Sequence, residues 1–225
     1  MNPFPNETAE YRAARETLLT AEVELRRQTE RVAAERRELP LGGRVADDYV
    51  FDFAEGPVRL SELFADGKDT LYLYSFMFLP DAEGVPLARA CPACTSIIDG
   101  LDGAIPHLTQ RINVAVSAKV PIAQFTAHAE TRGWRNARLL SSGRSTYNRD
   151  YQAETETESQ LPVATVFVRR DGAIYYWWSS ELLMAPGDPG EHPRHVDYMW
   201  PIWAVFDVTP DGRGTDWHPA LDYAG

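Results

Sequence analysis

The two cysteines of this chain, Cys91 and Cys94, lie three positions apart. An apolar run of β-type residues at 71–78 precedes them, and residues 95–110 behind them have the apolar spacing of a helix. The pattern predicts a strand, a loop, a Cys-x-x-Cys motif and a helix that begins at the motif. A strand that leads into a helix in this way indicates an α/β domain, so the other elements must be arranged around the cysteines.

The placement of the motif at a helix start has a chemical consequence. The first turn of a helix carries unpaired backbone N–H groups and the positive end of the helix dipole, and both favour a thiolate. Pro92 suits an early helical position because its missing N–H would be unpaired there. We therefore expect Cys91 to attack and Cys94 to resolve, with Pro92 and Ala93 contacting the substrate. Arg89 either lowers the pKa of Cys91 or is simply solvated.

Two other interpretations of the cysteines stay open at this point. Free cysteines are often buried thiols without a task. Cys91, Cys94 and His107 match the first three ligands of a Cys2His2 zinc site, but His128 comes too late to be the fourth. The strand, Cys-x-x-Cys and helix order in an α/β pattern favours a thioredoxin-like redox site without a metal or cofactor. Further metal-ligand types occur in a proline-broken segment near the C-terminus: His192, His195 and Asp197.

Composition narrows the partners and the compartment. The net charge is −11, which argues against nucleic acid and against anionic membranes as partners. We find no signal-peptide pattern at the N-terminus and no apolar run of about 18 residues, so no membrane span is expected. The default location is the cytoplasm, where a close cysteine pair is more often catalytic or metal-binding than structural.

A long helix is predicted over residues 7–38, ended by Pro40 and Gly42. Charged residues fill most of its surface, and a narrow apolar stripe suits packing along a second copy of the chain or along the chain's own domain. We expect a homodimer with this arm, residues 1–42, in the contact. Apolar or aromatic residues recur along it every seven positions: Tyr11, Leu18, Leu25, Val32 and Leu39.

Residues 43–180 are predicted to form a thioredoxin-like domain. Strands alternate with helices and end in a hairpin, which indicates a mixed central sheet flanked by helices. Pro162 opens the first strand of this hairpin, where thioredoxin-like proteins carry a cis-proline whose backbone pairs with the substrate. Pro162 and Val163 are therefore expected to bind substrate. A trans peptide bond before Pro162 is equally compatible with the start of a strand. Residues 181–225 are predicted to form an irregular, aromatic-rich extension packed on the domain.

Several runs resemble one bacterial thioredoxin-like family, known as domain of unknown function eight-nine-nine. The resemblance spans nearly the whole chain and implies a thioredoxin-like fold and dithiol–disulfide oxidoreductase activity. The similar runs are Cys91-Pro-Ala-Cys-Thr-Ser-Ile-Ile-Asp-Gly-Leu-Asp-Gly-Ala-Ile-Pro-His107, Gly133-Trp134-Arg135, Ser141-Ser142-Gly143, Tyr147-Asn148-Arg149-Asp150-Tyr151 and residues 206–217.

The chain departs from true thioredoxins near the motif. No tryptophan precedes Cys91, and the strand at 71–78 lacks the buried aspartate that aids proton transfer; Asp99 and Asp102 are the nearest carboxylates along the following helix. The leading hypothesis is an oxidoreductase that reduces a protein or small-molecule disulfide and takes its electrons from a reductase. A thiol peroxidase is the alternative enzyme, although Cys91 stands where the Pro-x-x-x-Thr-x-x-Cys frame needs threonine. A non-enzymatic redox sensor or binding module is the third hypothesis.

Overall fold

One long helix dominates the N-terminal part of the chain. The structure, a computed structural model, describes residues 2–189, 194 and 196–221 and divides the chain into two units, Met1–Leu41 and Gly42–Gly225. In the first unit, α1 (Ala9–Arg37) begins where Thr8 Oγ1 accepts the backbone N–H of Tyr11 at 3.1 Å. The helix is about 44 Å long at about 1.5 Å per residue. Three residues of its predicted stripe are each more than half exposed: Tyr11, Leu18 and Leu25.

The second unit is built on a seven-stranded mixed sheet in the order β2-β1-β7-β6-β3-β8-β9. Strands β3, β6 and β7 run parallel, whereas β8 is antiparallel to β3 and forms a hairpin with β9. The strands of this sheet are β1 (Val50–Phe53), β2 (Gly56–Arg59), β3 (Thr70–Phe76), β6 (Asn113–Ala118), β7 (Leu139–Ser141), β8 (Val163–Arg170) and β9 (Ala173–Ser179). A separate two-stranded ladder consists of β4 (Phe78–Leu79) and β5 (Arg89–Ala90).

Helices connect these strands and flank the sheet. A parallel β3–helix–β6 unit followed by the antiparallel β8–β9 hairpin beside β3 is the thioredoxin-like arrangement, so the predicted fold class is confirmed. The α-helices of this unit are α2 (Pro92–Asp102), α3 (Ile105–Leu108), α4 (Ile122–Arg132), α5 (Tyr147–Asp150) and α6 (Pro201–Asp207), and 3-10 helices occupy Leu60–Leu63 and Glu181–Met184.

The central strand β3 divides the core into two layers. Successive side chains of a strand point to opposite faces. Tyr74 and Phe76 therefore join the layer under α2, α4 and α6, which also contains both cysteines. Leu71 and Leu73 join the other layer, which is closed by the Leu60–Leu63 helix and by α5. The sulfur atoms thus belong to one face of the sheet only.

Three predicted elements differ from the structure. The helix predicted over residues 95–110 is divided into α2 and α3 at Gly103 and Ala104, because Pro106 has no N–H to donate to the Asp102 carbonyl, which accepts from Asn136 Nδ2 at 3.1 Å instead. The polar stretch after Ser142 contains the short helix α5, and the C-terminal segment contains α6. No cis peptide bond occurs among the described residues, so the bond before Pro162 is trans.

Candidate functional site

The cysteine pair lies at the junction of β3 with α2. Cys91 is the N-cap residue of α2, and Pro92 occupies the first helical turn as predicted. The Cys91 backbone N–H donates to the Met77 carbonyl at 3.1 Å, just beyond the end of β3. The small β4–β5 ladder pairs Phe78 with Ala90 and so closes the intervening loop against the same place. The fold therefore fixes the start of α2 directly at the carboxyl end of the central strand.

The surroundings of Cys91 favour its thiolate. Hydrogen bonding to its sulfur from the Cys94 side chain is the largest effect, and it lowers the pKa of Cys91 to about 6 despite the opposing effect of burial. The backbone N–H groups of Cys94 and Ala93 act in the same direction, as expected at a helix start. The guanidinium of Arg89, whose Nε donates to the Pro80 carbonyl at 3.0 Å, lowers the pKa further. Cys91 is 5% exposed.

The surroundings of Cys94 have the opposite effect. Cys94 is only 1% exposed, and burial together with the neighbouring Cys91 sulfur raises the pKa of Cys94 well above its usual range. One buried hydroxyl opposes this shift, because Tyr74 donates from its phenol oxygen to Cys94 Sγ at 3.3 Å. Burial also raises the pKa of Tyr74 far above its usual value, so the phenol stays neutral and acts as a donor.

A threonine and a histidine support the first turn of α2. Thr95 Oγ1 donates to the Cys91 carbonyl at 2.9 Å and lies 3.0 Å from His128 Nε2. A hydroxyl has one proton, so this geometry assigns His128 Nε2 as the donor to Thr95. Burial, and then the charge of Arg132, lower the pKa of His128. The imidazole is therefore neutral near pH 7 and holds the helix start without adding charge.

The C-terminal segment packs against the outer side of α2. The indole Nε1 of Trp200 donates to Ser96 Oγ at 2.8 Å, and Trp203 is buried in the core layer that contains the cysteines. Arg213 lies over the Trp203 ring at 5.2 Å and pairs with two carboxylates, those of Asp197 and Asp207, at 2.8 and 2.5 Å. These contacts place aromatic rings over the helix that carries the cysteines.

The predicted substrate-binding residues lie in two places. Pro92 and Ala93 are partly buried in the first turn of α2. Pro162 immediately precedes β8, and Val163 pairs with Ser75 of β3. Val163 itself is buried and faces the layer opposite the sulfur atoms, whereas its neighbour Ala164 belongs to the core layer that contains both cysteines. The role of these four residues in binding substrate stays a prediction.

The two carboxylates on α2 have structural partners. Asp99 pairs with Arg132 at 2.5 Å and accepts from the Trp134 indole at 2.7 Å. Asp102 is buried, and three backbone N–H groups on the α4–β7 connection donate to its oxygens. Burial opposes ionisation of Asp102, but these bonds lower the pKa of its carboxyl. Neither residue supplies the buried acid of a true thioredoxin.

Metal and membrane expectations can be compared with the described residues. Across residues 2–189, 194 and 196–221, no three His, Cys, Asp or Glu side chains form a group that could hold a metal ion. His192 and His195 lie outside this part of the chain. No described helix is both long and apolar enough to cross a membrane.

Sequence reasoning missed the hydroxyl group beside Cys94. The sequence analysis considers carboxylates as partners of the cysteines, whereas the structure has a phenol twenty positions before Cys94. A signal is present in the sequence, because Tyr74 is one of two tyrosines in a central strand without charged residues. A buried hydroxyl needs a partner, and the cysteine layer supplies it.

Comparison with protein families gives the relationship of the chain. The family described as "Bacterial protein of unknown function (DUF899)" matches residues 1–223. The chain belongs to this family. The resemblance inferred from the sequence is thereby confirmed, and it covers both units of this DUF899 protein. Comparison with curated proteins gives no match.

Solved structures similar to this DUF899 protein include a hypothetical protein from Sinorhizobium meliloti 1021, with 18% identity, a TM-score of 0.44 and coverage of 82% of this chain and 92% of that one. A mutant of Xanthomonas campestris peroxiredoxin Q gives 12% identity, a TM-score of 0.43 and coverage of 61% and 84%. Plasmodium yoelii thioredoxin peroxidase I gives 17% identity, a TM-score of 0.43 and coverage of 83% of this chain and 100% of that one. Likenesses this weak carry no argument about activity.

Proposed function

We propose that this DUF899 protein is a thiol–disulfide oxidoreductase whose reacting groups are Cys91 and Cys94. The Cys91 thiolate attacks one sulfur of a substrate disulfide, the substrate S–S bond breaks, and the departing thiolate takes a proton. The Cys94 thiol then loses its proton and attacks Cys91 Sγ, which releases the second substrate thiol and leaves a Cys91–Cys94 disulfide. Two electrons pass to the substrate, and a dithiol reductase restores the pair.

The opposite pKa shifts of the two thiols are the observation that carries this proposal. With a pKa of about 6, Cys91 is about nine-tenths thiolate at pH 7, whereas Cys94 stays protonated. An attacking thiol must be ionised before the substrate arrives, and a resolving thiol must not compete with it. The geometry of α2 supplies both conditions, since Cys91 is the N-cap residue of the helix and Cys94 is buried a turn inside.

The first turn of α2 and the start of β8 are the surfaces that we propose for the substrate. Pro92 and Ala93 flank the attacking sulfur along the chain, and Pro162 and Val163 begin the strand beside β3. An extended substrate segment would lie between them and pair through its backbone. The expected loss on altering these residues is in substrate affinity rather than in thiol acidity.

Thiol peroxidase activity is a second candidate, favoured by the 5% exposure of Cys91. A hydroperoxide reaches a nearly buried sulfur more easily than a protein disulfide does. The Cys91 thiolate would attack the terminal peroxide oxygen, the O–O bond would break, and an alcohol or water would leave with a proton. Cys94 would then attack the sulfenic acid and release water, giving the same disulfide.

Parallel turnover assays with dithiothreitol as the electron donor test both activities. We expect the wild-type protein to reduce insulin disulfides catalytically, Cys91→Ser to abolish this, and Cys94→Ser to accumulate a mixed disulfide at Cys91 detectable by mass spectrometry. Peroxide consumption without insulin reduction would replace the first candidate with the second. If the protein turns over neither insulin nor peroxide, and its oligomeric state changes with its redox state, both enzymatic proposals are refuted and the sensor hypothesis is favoured.

We further infer a cytoplasmic setting, because a cysteine pair that must be reduced for attack needs a reducing compartment. The proposed organisation has residues 1–42 as a helical arm that contributes to a homodimer, 43–180 as the redox domain and 181–225 as an extension over α2. The exposed stripe on α1 supports the dimer, since Leu18 and Leu25 offer apolar surface along one line of the helix.

A further inference from the structure

A cavity of about 800 Å³ lies on the face of the sheet away from the cysteines. Val163 and Ala164 are neighbours in β8 and point to opposite sides. Ala164 belongs to the core layer that contains both cysteines, whereas Val163 lines the cavity. The volume is in the range of small-molecule sites, which is roughly 300–1,000 Å³. The cavity is therefore large enough for a ligand and does not include the redox pair.

Three tyrosines form the aromatic wall of this cavity. The rings of Tyr151 and Tyr176 are stacked, with centroids 6.2 Å apart and planes 20° apart. Tyr49 meets the Tyr151 ring edge-on at 5.7 Å. The wall combines residues from before β1, after α5 and within β9, so the fold brings together rings that are far apart in sequence. Faces of aromatic rings attract cations through the ring quadrupole.

Two carboxylates stand beside these rings. Asp150 Oδ2 accepts from Tyr49 at 3.0 Å and from Thr146 at 2.6 Å, and Glu181 Oε1 accepts from Tyr176 at 3.3 Å. The phenol protons of Tyr49 and Tyr176 are thus used by carboxylates, which leaves the ring faces and Glu181 Oε2 for a ligand, while Asp150 Oδ1 lies 3.7 Å from Arg149. Both carboxylates line the cavity.

The charge around the cavity favours a positive ligand. Its lining holds two carboxylates and one guanidinium, that of the exposed Arg44, while Arg149 lies 3.7 Å from Asp150 outside the lining. Burial first, and then nearby carboxylates that include Asp150 and Asp47, raise the pKa of Tyr49 and Tyr151. The phenols are therefore neutral, and three carboxylates, those of Asp150, Glu181 and Asp47, lie in or near the cavity against two guanidiniums, those of Arg44 and Arg149.

We propose that this cavity binds a small organic ammonium ion, with the ammonium group against the tyrosine rings and the carboxylates of Asp150 and Glu181. The remainder of the ligand would extend along the apolar side of the cavity, towards Met184 and Ala185. Ring faces with flanking carboxylates are the chemistry that recognises alkylated ammonium groups in aqueous cavities. The proposal uses neither cysteine, and the residue that it shares with the surface proposed for the redox substrate is Val163, which lines the cavity.

Calorimetric titration of the full-length protein with choline tests the ammonium group directly. Its neutral isostere, 3,3-dimethylbutan-1-ol, has the same shape without the charge. We expect choline to bind about tenfold more tightly than the alcohol, within the range of a cation–π contact. Equal affinities, or no binding of choline in the millimolar range, would overturn the proposal.

Variants place the binding in this cavity. Tyr176→Leu should weaken choline about tenfold and Glu181→Gln about threefold, whereas Tyr176→Phe keeps the ring and should retain most of the affinity. Tyr175→Leu is the matched control, because its side chain lies on the other face of β9. If Tyr175→Leu weakens choline as much as Tyr176→Leu does, the site is elsewhere. The Cys91→Ser/Cys94→Ser protein should bind choline unchanged, which separates this result from the fate of the redox proposal.

Discussion

Replacing Tyr74 with phenylalanine removes the one hydroxyl that donates to Cys94 Sγ, at 3.3 Å, and leaves the ring in place. With the Cys94 thiol the bond is weak, but with the thiolate it becomes a hydrogen bond to a charged group, which contributes about 1.5–3 kcal/mol. Since about 1.4 kcal/mol corresponds to one pKa unit, the pKa of Cys94 should rise by about one to two units in Tyr74→Phe.

The rate effect is smaller than the pKa effect. Below its pKa, Cys94 would form about 10- to 100-fold less thiolate, yet a more basic thiolate is a better nucleophile, with a Brønsted coefficient of about 0.4–0.5. The two effects together predict a resolving step about 3- to 10-fold slower at fixed pH. The attack by Cys91 should change little, because the largest influence on its pKa is the hydrogen bond from Cys94.

Stopped-flow reaction with a chromogenic aromatic disulfide separates the two steps. One equivalent of coloured thiol is released when Cys91 attacks, and a second is released when Cys94 resolves the mixed disulfide. We expect Tyr74→Phe to leave the first phase unchanged, to slow the second, and to shift the pH profile of the second upward by about one to two units.

The matched control is Tyr72→Phe, on the same strand and the same face. The Tyr72 hydroxyl donates to Met199 Sδ at 2.9 Å and not to a thiol, so this variant loses a buried hydroxyl without touching the cysteines. Its two phases should match those of the wild type. The reasoning is refuted if Tyr74→Phe leaves the second phase and its pH profile unchanged, or if both variants slow it equally.

Three further outcomes follow from the same structure. In alkylation against pH, Cys91 should react with a midpoint near pH 6 in Cys94→Ser, which can still donate to its sulfur, and at clearly higher pH in Cys94→Ala, which cannot; equal midpoints would contradict the assigned bond. Asp102→Asn should lower the free energy of unfolding by about 2–4 kcal/mol at pH 7, because an amide cannot accept all the N–H groups that the carboxylate accepts. The pKa of Asp102 is depressed in the folded state, so its contribution to stability is present above the unfolded-state pKa and is lost as the pH falls through the folded-state pKa. The difference in unfolding free energy between the two proteins, measured by denaturant titration, should therefore shrink in acid. Deletion of residues 1–40 should convert a dimer into a monomer in light scattering, and a full-length monomer would remove the dimer prediction.

The order of strands and helices around the cysteines was predictable because it depends on patterns of neighbouring residues in the sequence. An apolar run, two close cysteines and a helical repeat predict strand, loop and helix without any knowledge of the rest of the chain. The end of α2 was predictable only in part: Pro106 has no N–H to continue the helix, but the bonds from the N–H groups of Arg135 and Asn136 to the Asp102 carboxylate join positions more than thirty residues apart. The helix α5 was missed for a related reason: the side chain that anchors it, Tyr147, is buried among aromatic residues brought together only by the sheet.

The candidate site likewise has features that depend on local sequence and features that depend on tertiary packing. The roles of Cys91 and Cys94 were predicted from their position in the first turn of a helix, and that geometry is local. The partner of Cys94 is not local, because a strand residue reaches it only after β3 and α2 have packed. Val163 was predicted to bind substrate from its place at the start of the strand, but adjacent residues of β8 face opposite layers, and Ala164 is the one in the layer that contains the sulfur atoms.

The two thiols are best considered as one titrating unit that carries a single charge. Two thiolates within hydrogen-bond distance in a buried layer repel each other, so the first proton leaves the pair easily and the second leaves only at much higher pH. The helix start and Arg89 decide that the first charge resides on Cys91, and burial decides that the second proton stays on Cys94. Once Cys91 has formed a mixed disulfide, its negative charge is gone and no longer opposes ionisation of Cys94. In the proposed reaction, attack by Cys91 thus makes Cys94 easier to ionise, and the Tyr74 hydroxyl is already placed to donate to the new thiolate.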